Sequence, residues 1–388
     1  MNSLHSLIAS WAAASLLLLS GCAAPSGPLY DSAPKLAPYA QASFQDYVRE
    51  TRAWIAVNRH FLTDDRGAEL ETNTPFELRP AAASPTRGVL LIHGLGDSPG
   101  YFEDVAEALV DENVLVRAML LPGHGTKPGD LKLPAIEDWR AAVAHQVELL
   151  SAQVDEVWLG GFSTGANLAT AYALERGGVS GLLLFSPGFV PQDSLLWLAP
   201  FASLFVDWVD IDAPTLNFMR YESLSTNAAA LYYRTTQDVR SALKARTLDV
   251  PALLVMTEHD SVIDPAGVLD LFERRFTAEE SRFIWYGDDP GSMDKRVAVK
   301  TSRLPDQRIS SFSHLCVMFS PDHPYYGRDG AFVMLENGQD ADPAAFEREE
   351  FWYSAHGLNE PGKYHARLTW NPYFNELKAA MREVMAGR

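Results

Sequence analysis

Short unbroken apolar runs, each closed by glycine, proline or a polar cluster, recur along this chain with room for a helix between them. Gly88-Val-Leu-Leu-Ile-His93, Val114–Leu121, Val157–Leu159, Leu182–Phe185 and Pro251–Met256 are nearly all apolar, which predicts strands buried on both faces. Arg282–Tyr286 and Arg296–Lys300 finish the set, and Phe76-Glu-Leu-Arg79 alternates like an edge strand. Between these runs the period lengthens to that of a helix. Phe44, Val48, Trp54 and Val57 predict an N-terminal helix over 44–61, and Ser98-Pro99 reads as the N-cap and first position of a helix to Val110. Ile136, Trp139, Val143, Val147 and Leu150 share one face of a helix opened by Pro134. Further helices are expected over Ala166–Leu174 (stopped by Gly177), around Val268–Phe272, and from Pro372 to Met385. Strands alternating with helices predict an α/β fold, a mostly parallel sheet covered by helices on both faces.

Two intervals break this rhythm. Residues 188–248 lie between core strands and carry Trp197, Phe201, Phe205, Trp208, Phe218, Tyr221, Tyr232 and Tyr233. So much aromatic surface between two core strands predicts an inserted helical cap. The interval 317–371 is a loop-rich extension with many Pro, Gly and acidic residues. The α/β core is therefore expected over 44–187 and 249–388.

The start of the chain has a different character. Residues 1–21 contain no Asp, Glu, Lys or Arg, and their apolar run ends at Leu19-Ser-Gly-Cys22. That run is shorter than the ~20 residues that span a bilayer, so it reads as a signal peptide. Leu-Ser-Gly-Cys resembles the bacterial lipobox, which implies acylation of Cys22. The non-acidic Ala23 then points to the outer membrane of a bacterial envelope. Residues 22–43, rich in Pro, Ser and Ala, read as a tether. Membrane attachment would come from the lipid, since a net charge of −18 argues against nucleic acid or anionic lipid as partners. Cys22 and Cys316 are the only cysteines, so no disulfide framework is expected.

The candidate chemistry centres on Gly161-Phe-Ser-Thr-Gly165, between an apolar run and an Ala-rich helix. Gly-x-Ser-x-Gly in that setting predicts a nucleophile elbow that holds Ser163 clear of the backbone above the sheet. A serine hydroxyl needs a base to take its proton and an acid to orient the base, here in the chain order Ser, Asp or Glu, His. His314, in the polar loop after the last strand, is the expected base, with His323 the runner-up in the same loop. Asp260, on the turn after the 251–256 strand, is the expected acid, with Glu258 and Asp264 as alternatives. Two backbone N–H groups would hold the oxyanion: Thr164, after the nucleophile, and Leu95, in the turn His93-Gly-Leu-Gly96. His93 and His124 read as braces of their turns. No Cys/His spacing suits a metal, and the lone Gly94-x-Gly96 is no dinucleotide fingerprint, so no cofactor is implied.

Taken together, His93-Gly-Leu-Gly, Leu121-Pro-Gly-His-Gly-Thr126 with Trp139, Gly161-Phe-Ser-Thr-Gly165, Glu258-His-Asp260 and Ser313-His314 resemble the α/β-hydrolase fold. Within it, the set is most similar to the monoacylglycerol lipase and bacterial carboxylesterase group, close to the serine-aminopeptidase-like hydrolases. The resemblance covers roughly residues 76–316. It implies a Ser163–His314–Asp260 triad, a helical lid from the cap, and cofactor-free hydrolysis of an ester or lipid substrate. Peptide or amide hydrolysis by the same triad, and a non-catalytic envelope binding lipoprotein, are the alternative readings. Oligomeric state is not legible.

Overall fold

A computed structural model describes residues 25–81, 84–211, 216–340 and 342–387. The expected signal peptide and Cys22 lie outside the described residues. Among the described residues, the first ten strands in chain order are β1 (Phe76–Leu78), β2 (Arg87–Ile92), β3 (Leu115–Met119), β4 (Glu156–Phe162), β5 (Gly181–Phe185), β6 (Trp208–Asp210), β7 (Leu224–Ser225), β8 (Ala252–Thr257), β9 (Arg282–Tyr286) and β10 (Val297–Lys300). Eight of them form one sheet in the order β1-β3-β2-β4-β5-β8-β9-β10. All its pairings are parallel except that of the edge strand β1 with β3.

The apolar runs follow from burial on two faces. In β2, Leu90 and Ile92 join one core cluster with the helices Ile136–Ser151 and Thr164–Arg176. Their neighbours Val89 and Leu91 join the opposite cluster, with the helices Glu103–Val110 and Phe374–Met385. A strand that feeds both faces has no place for a polar residue at either parity.

The structure departs from the sequence pattern in four places. The N-terminal helix covers Phe44–Asn58 and leaves Val57 exposed. Ser98 makes no side-chain cap, because Pro99–Phe102 first forms a 3₁₀ turn and the α-helix begins only at Glu103. Part of the expected tether is laid against the core: Leu29 O accepts from Gly129 N–H (3.1 Å), Ser32 Oγ donates to Gly129 O (2.7 Å), and Tyr39 OH donates to Asp138 (2.8 Å). The interval 188–248 is divided. Its second half is the 20-residue helix Thr226–Ala245, whose Ala228, Leu231, Tyr232 and Val239 are buried in the core. Its first half holds the short helix Ala199–Ala202 and the β6–β7 hairpin, and leaves Trp197, Phe201, Leu204 and Phe205 exposed.

The extension 317–371 has two short strands, Trp352–Ser354 and His365–Arg367, paired in parallel. Among the described residues, no helix is long and apolar enough to cross a membrane.

Candidate active site

Everything at the site hangs from the carboxyl ends of the central strands. β4 ends at Phe162, and the helix Thr164–Arg176 starts one residue after Ser163. Ser163 bridges them with φ 51° and ψ −111°, a conformation that non-glycine residues avoid and that costs on the order of 1–3 kcal/mol. The turn closes so tightly that a Cβ on Gly165 would collide with the carbonyls of Ile92 and His93, and one on Gly161 with the backbone of Gly165 and Ala166. Glycine at both positions is therefore steric necessity, and Ser163 faces upward because the surrounding packing holds it there.

The register pairs Ile92 with Gly161, which brings the turn after β2 alongside the elbow. Two histidines hold that turn. His93 Nε2 accepts from Leu121 N–H (3.0 Å), so its Nδ1–H donates to Gly94 O (2.8 Å). His124 Nε2 accepts from Gly96 N–H (3.0 Å), and its Nδ1–H donates to Leu121 O (3.2 Å). Burial lowers both pKa values, His93 to about 4, which keeps the rings neutral and suited to this accepting role. Leu95, between them, lines the same cavity as Thr164 and Ser163. Thr164 is the first residue of its helix, so its N–H has no intrahelical partner, and the helix N-terminus adds positive potential there.

Asp260 follows β8. Its Oδ1 accepts from the N–H groups of Val262 and Ile263 (both 2.9 Å), and its Oδ2 accepts from His314 Nδ1 at 2.6 Å. With Nδ1–H given to Asp260, Nε2 of His314 is left as the basic nitrogen. His314 lines the cavity with Ser163, its backbone O accepts from Ser186 Oγ (2.8 Å), and its ring lies 5.0 Å from that of Phe162. The alternative acids have other partners: Glu258 accepts from Asp288 N–H (2.7 Å), and Asp264 caps the helix Pro265–Arg275. His323 is buried elsewhere, with Nδ1 accepting from Tyr325 and Tyr326 N–H (3.1 and 2.9 Å).

Residues 83–232 match the family described as "Serine aminopeptidase, S33". The chain has the α/β-hydrolase fold. It is similar to the thermostable monoacylglycerol lipase of Bacillus sp. (strain H-257), 24% identical over 208 residues, covering 51% of this chain and 79% of that protein. Among solved structures, the monoacylglycerol lipase of Paleococcus ferrophilus matches at 20% identity and a TM-score of 0.45, covering 55% of this chain and 87% of that one. A soluble variant of the Saccharomyces cerevisiae monoglyceride lipase, in complex with a substrate analogue, matches at 15% identity and a TM-score of 0.45, covering 58% and 85%.

The cavity that holds the elbow has a volume of about 950 Å³. Its lining also includes residues that sequence reasoning did not single out: Asp97, Tyr101, Arg220, Glu222 and, from the extension, Glu336 and Arg367. Burial pushes Asp97 up to about 6, against the pull of Arg220 and His314. Asp97 had a signal, since it ends the run His93-Gly-Leu-Gly-Asp97. Ser186, at a φ of 41° beyond β5, and Arg367 had none.

Proposed function

We propose that this α/β-hydrolase hydrolyses carboxylic esters through an acyl-enzyme on Ser163. The observation that carries the reading is a single cavity holding an elbow serine and a histidine whose Nδ1 is tied to a buried carboxylate. His314 Nε2 takes the proton of Ser163 as Oγ attacks the ester carbonyl, then returns it to the leaving alcohol. Asp260 keeps the imidazole in the required tautomer and stabilises it when charged. The N–H groups of Leu95 and Thr164 receive the oxyanion, an interaction worth about 3–4 kcal/mol of barrier per donor. Water then repeats the sequence on the acyl-enzyme. The resemblance to monoacylglycerol lipases supports an ester or lipid substrate.

The same proposal covers the start of the chain. Residues 1–21 act as a signal peptide, and acylated Cys22 anchors the enzyme to a bacterial outer membrane. The exposed Trp197, Phe201, Leu204 and Phe205 offer an apolar surface suited to lipid esters. Cys22→Ser should move the protein into the soluble fraction, and unchanged membrane fractionation would reject the anchor.

The test of activity is a screen of nitrophenyl esters against aminoacyl nitroanilides, run on the wild type and Ser163→Ala. Ester turnover that vanishes in Ser163→Ala supports the reading. Turnover of the anilides alone would reassign the enzyme to amide chemistry, and turnover that survives Ser163→Ala would remove the serine from the mechanism.

A further inference from the structure

The lining of the cavity includes two arginines from distant parts of the chain. Arg220 lies between β6 and β7, and Arg367 ends the last strand of the extension. Both line the cavity that holds Ser163 and His314. Among the described residues, neither has a carboxylate oxygen within 4.0 Å.

Arg367 is held by neutral partners only: its Nη2 donates to the backbone O of Glu336 (3.0 Å) and to Nδ1 of His356 (2.7 Å). Its Nε is buried with no acceptor. Burial, followed by the charge of Arg220, lowers its pKa to about 10, which still leaves it a cation at neutral pH. Arg220 is better compensated: burial opposes its charge, but Tyr101, Glu222 and Asp97 hold its pKa above the ordinary value.

A half-buried cation near a second cation, with one buried orphan donor and no counter-ion in contact, is unfavourable unless something supplies the missing charge. The carboxylates around the cavity are sorted by depth. Glu336 and Asp340 are exposed to solvent, Glu222 is half-buried and Asp97 is buried with its pKa pushed up to about 6, so Arg220 has counter-charges near it whereas Arg367 has none in contact. The protein's net charge of −18 acts at long range and is screened beyond about 8 Å at physiological salt, so the local pair decides what binds inside.

We propose that Arg367 and Arg220 form an anion subsite, so that the preferred substrate is an ester carrying a carboxylate or phosphate away from its scissile bond. Either group suits the two arginines, since a carboxylate and a phosphate both accept charge-assisted hydrogen bonds from a guanidinium. His356 belongs to the subsite as a fixed support: with Nδ1 accepting from Arg367, its neutral ring carries the proton on Nε2. The inference rests on the ester-hydrolase reading and adds the charge of the substrate to it.

The experiment compares matched ester pairs on the purified enzyme. The carboxylate arm is the mono-p-nitrophenyl ester of glutaric acid against p-nitrophenyl valerate. The phosphate arm is a 1-acylglycerol 3-phosphate against the corresponding 1-acylglycerol. In at least one arm the wild type should favour the anionic member in kcat/KM by about tenfold to a hundredfold, the usual worth of hydrogen bonds to a charged group. The favoured arm identifies the anion. Arg367→Gln should collapse that preference mainly through KM, and Arg367→Lys should restore part of it. Arg220→Gln provides a second route if Arg367→Gln does not fold. Equal or reversed preference in both wild-type arms would overturn the subsite, as would a preference unchanged in a folded Arg367→Gln. Either result would leave Ser163-dependent turnover of the neutral esters intact, so it would not be mistaken for failure of the ester-hydrolase reading.

Discussion

At the floor of the cavity, Ser163, Thr164 and Leu95 sit on turns whose ends run straight into β4 and β2. At its mouth, Leu335, Glu336 and Arg367 come from an extension whose regular pairing, among the described residues, is two strands of three residues. The floor is held by sheet hydrogen bonds and by collisions that any residue larger than glycine would cause. The mouth is held by side-chain contacts across long stretches of chain, such as Tyr364 OH to Leu335 O (2.7 Å) and Asn337 to Ser354 (2.8 Å). On the function proposed above, the floor carries the groups that break the bond and the mouth carries groups that select the molecule presented to them. Changes at the floor should cost rate on every substrate, while changes at the mouth should cost rate selectively.

The largest effect expected short of removing the nucleophile is at Asp260. Asp260→Asn should lower kcat by roughly ten-thousandfold on all esters, because the histidine loses its tautomer and its counter-charge. Glu258→Gln and Asp264→Asn should fall far short of that loss. Steady-state kinetics on one short-chain ester checks this, and comparable losses in the three variants would break the assignment.

Next comes a buried brace that ties the N-terminal helices to the cap interval. Arg59 and Glu69 form a buried ion pair (2.8 Å), and Arg59 also donates to the backbone O atoms of Gly125 and Phe218 (both 2.9 Å). Glu69→Ala strands the guanidinium and should cost about 3–5 kcal/mol, read as a lower denaturant midpoint at constant slope. A change below about 1 kcal/mol, the level of a surface pair, would contradict the brace.

A smaller and selective effect is expected at the exposed aromatics. Trp197→Ser and Phe205→Ser should leave thermal stability nearly unchanged, because both side chains already face water. They should reduce kcat/KM on long-chain esters several-fold more than on acetate esters. Equal losses on both chain lengths would make this surface a structural element.

The smallest expected effect lies behind the mouth. Burial, then Asp104 and Glu107, push Glu103 from an ordinary value near 4.5 to about 7. The unfolded chain ionises this group first, so it favours the native state at low pH, and that advantage is lost as pH rises from about 4.5 through 7. Glu103→Gln should therefore raise Tm at pH 8 more than at pH 5. A pH-independent change would show that the carboxyl titrates normally.

Legibility followed the same division. The elbow could be read because strand, turn and helix adjoin in sequence, and the steric demand for small residues at 161 and 165 is local. His314 and Asp260 could be placed by topology, because the loops after the core strands converge above the sheet. The Ser98 cap failed because Pro99 fits a 3₁₀ turn as well as an α-helix, and the two differ only through packing. The buried half of 188–248 was hidden because its aromatics suit a lid and a core helix equally. Arg367 could not be read at all: a lone arginine in a short strand acquires meaning only when the fold brings it to the lining of the cavity that holds Ser163.

The central claim is covalent, and it can be weighed. Mixing the enzyme with a slowly deacylating p-nitrophenyl ester, quenching in acid and measuring intact and peptide masses should reveal one acyl group on the peptide containing Ser163, formed with a stoichiometric burst of nitrophenol. The same treatment of Ser163→Ala should yield no adduct and no burst. An acyl group on any other residue, or turnover with neither adduct nor burst, would contradict the account.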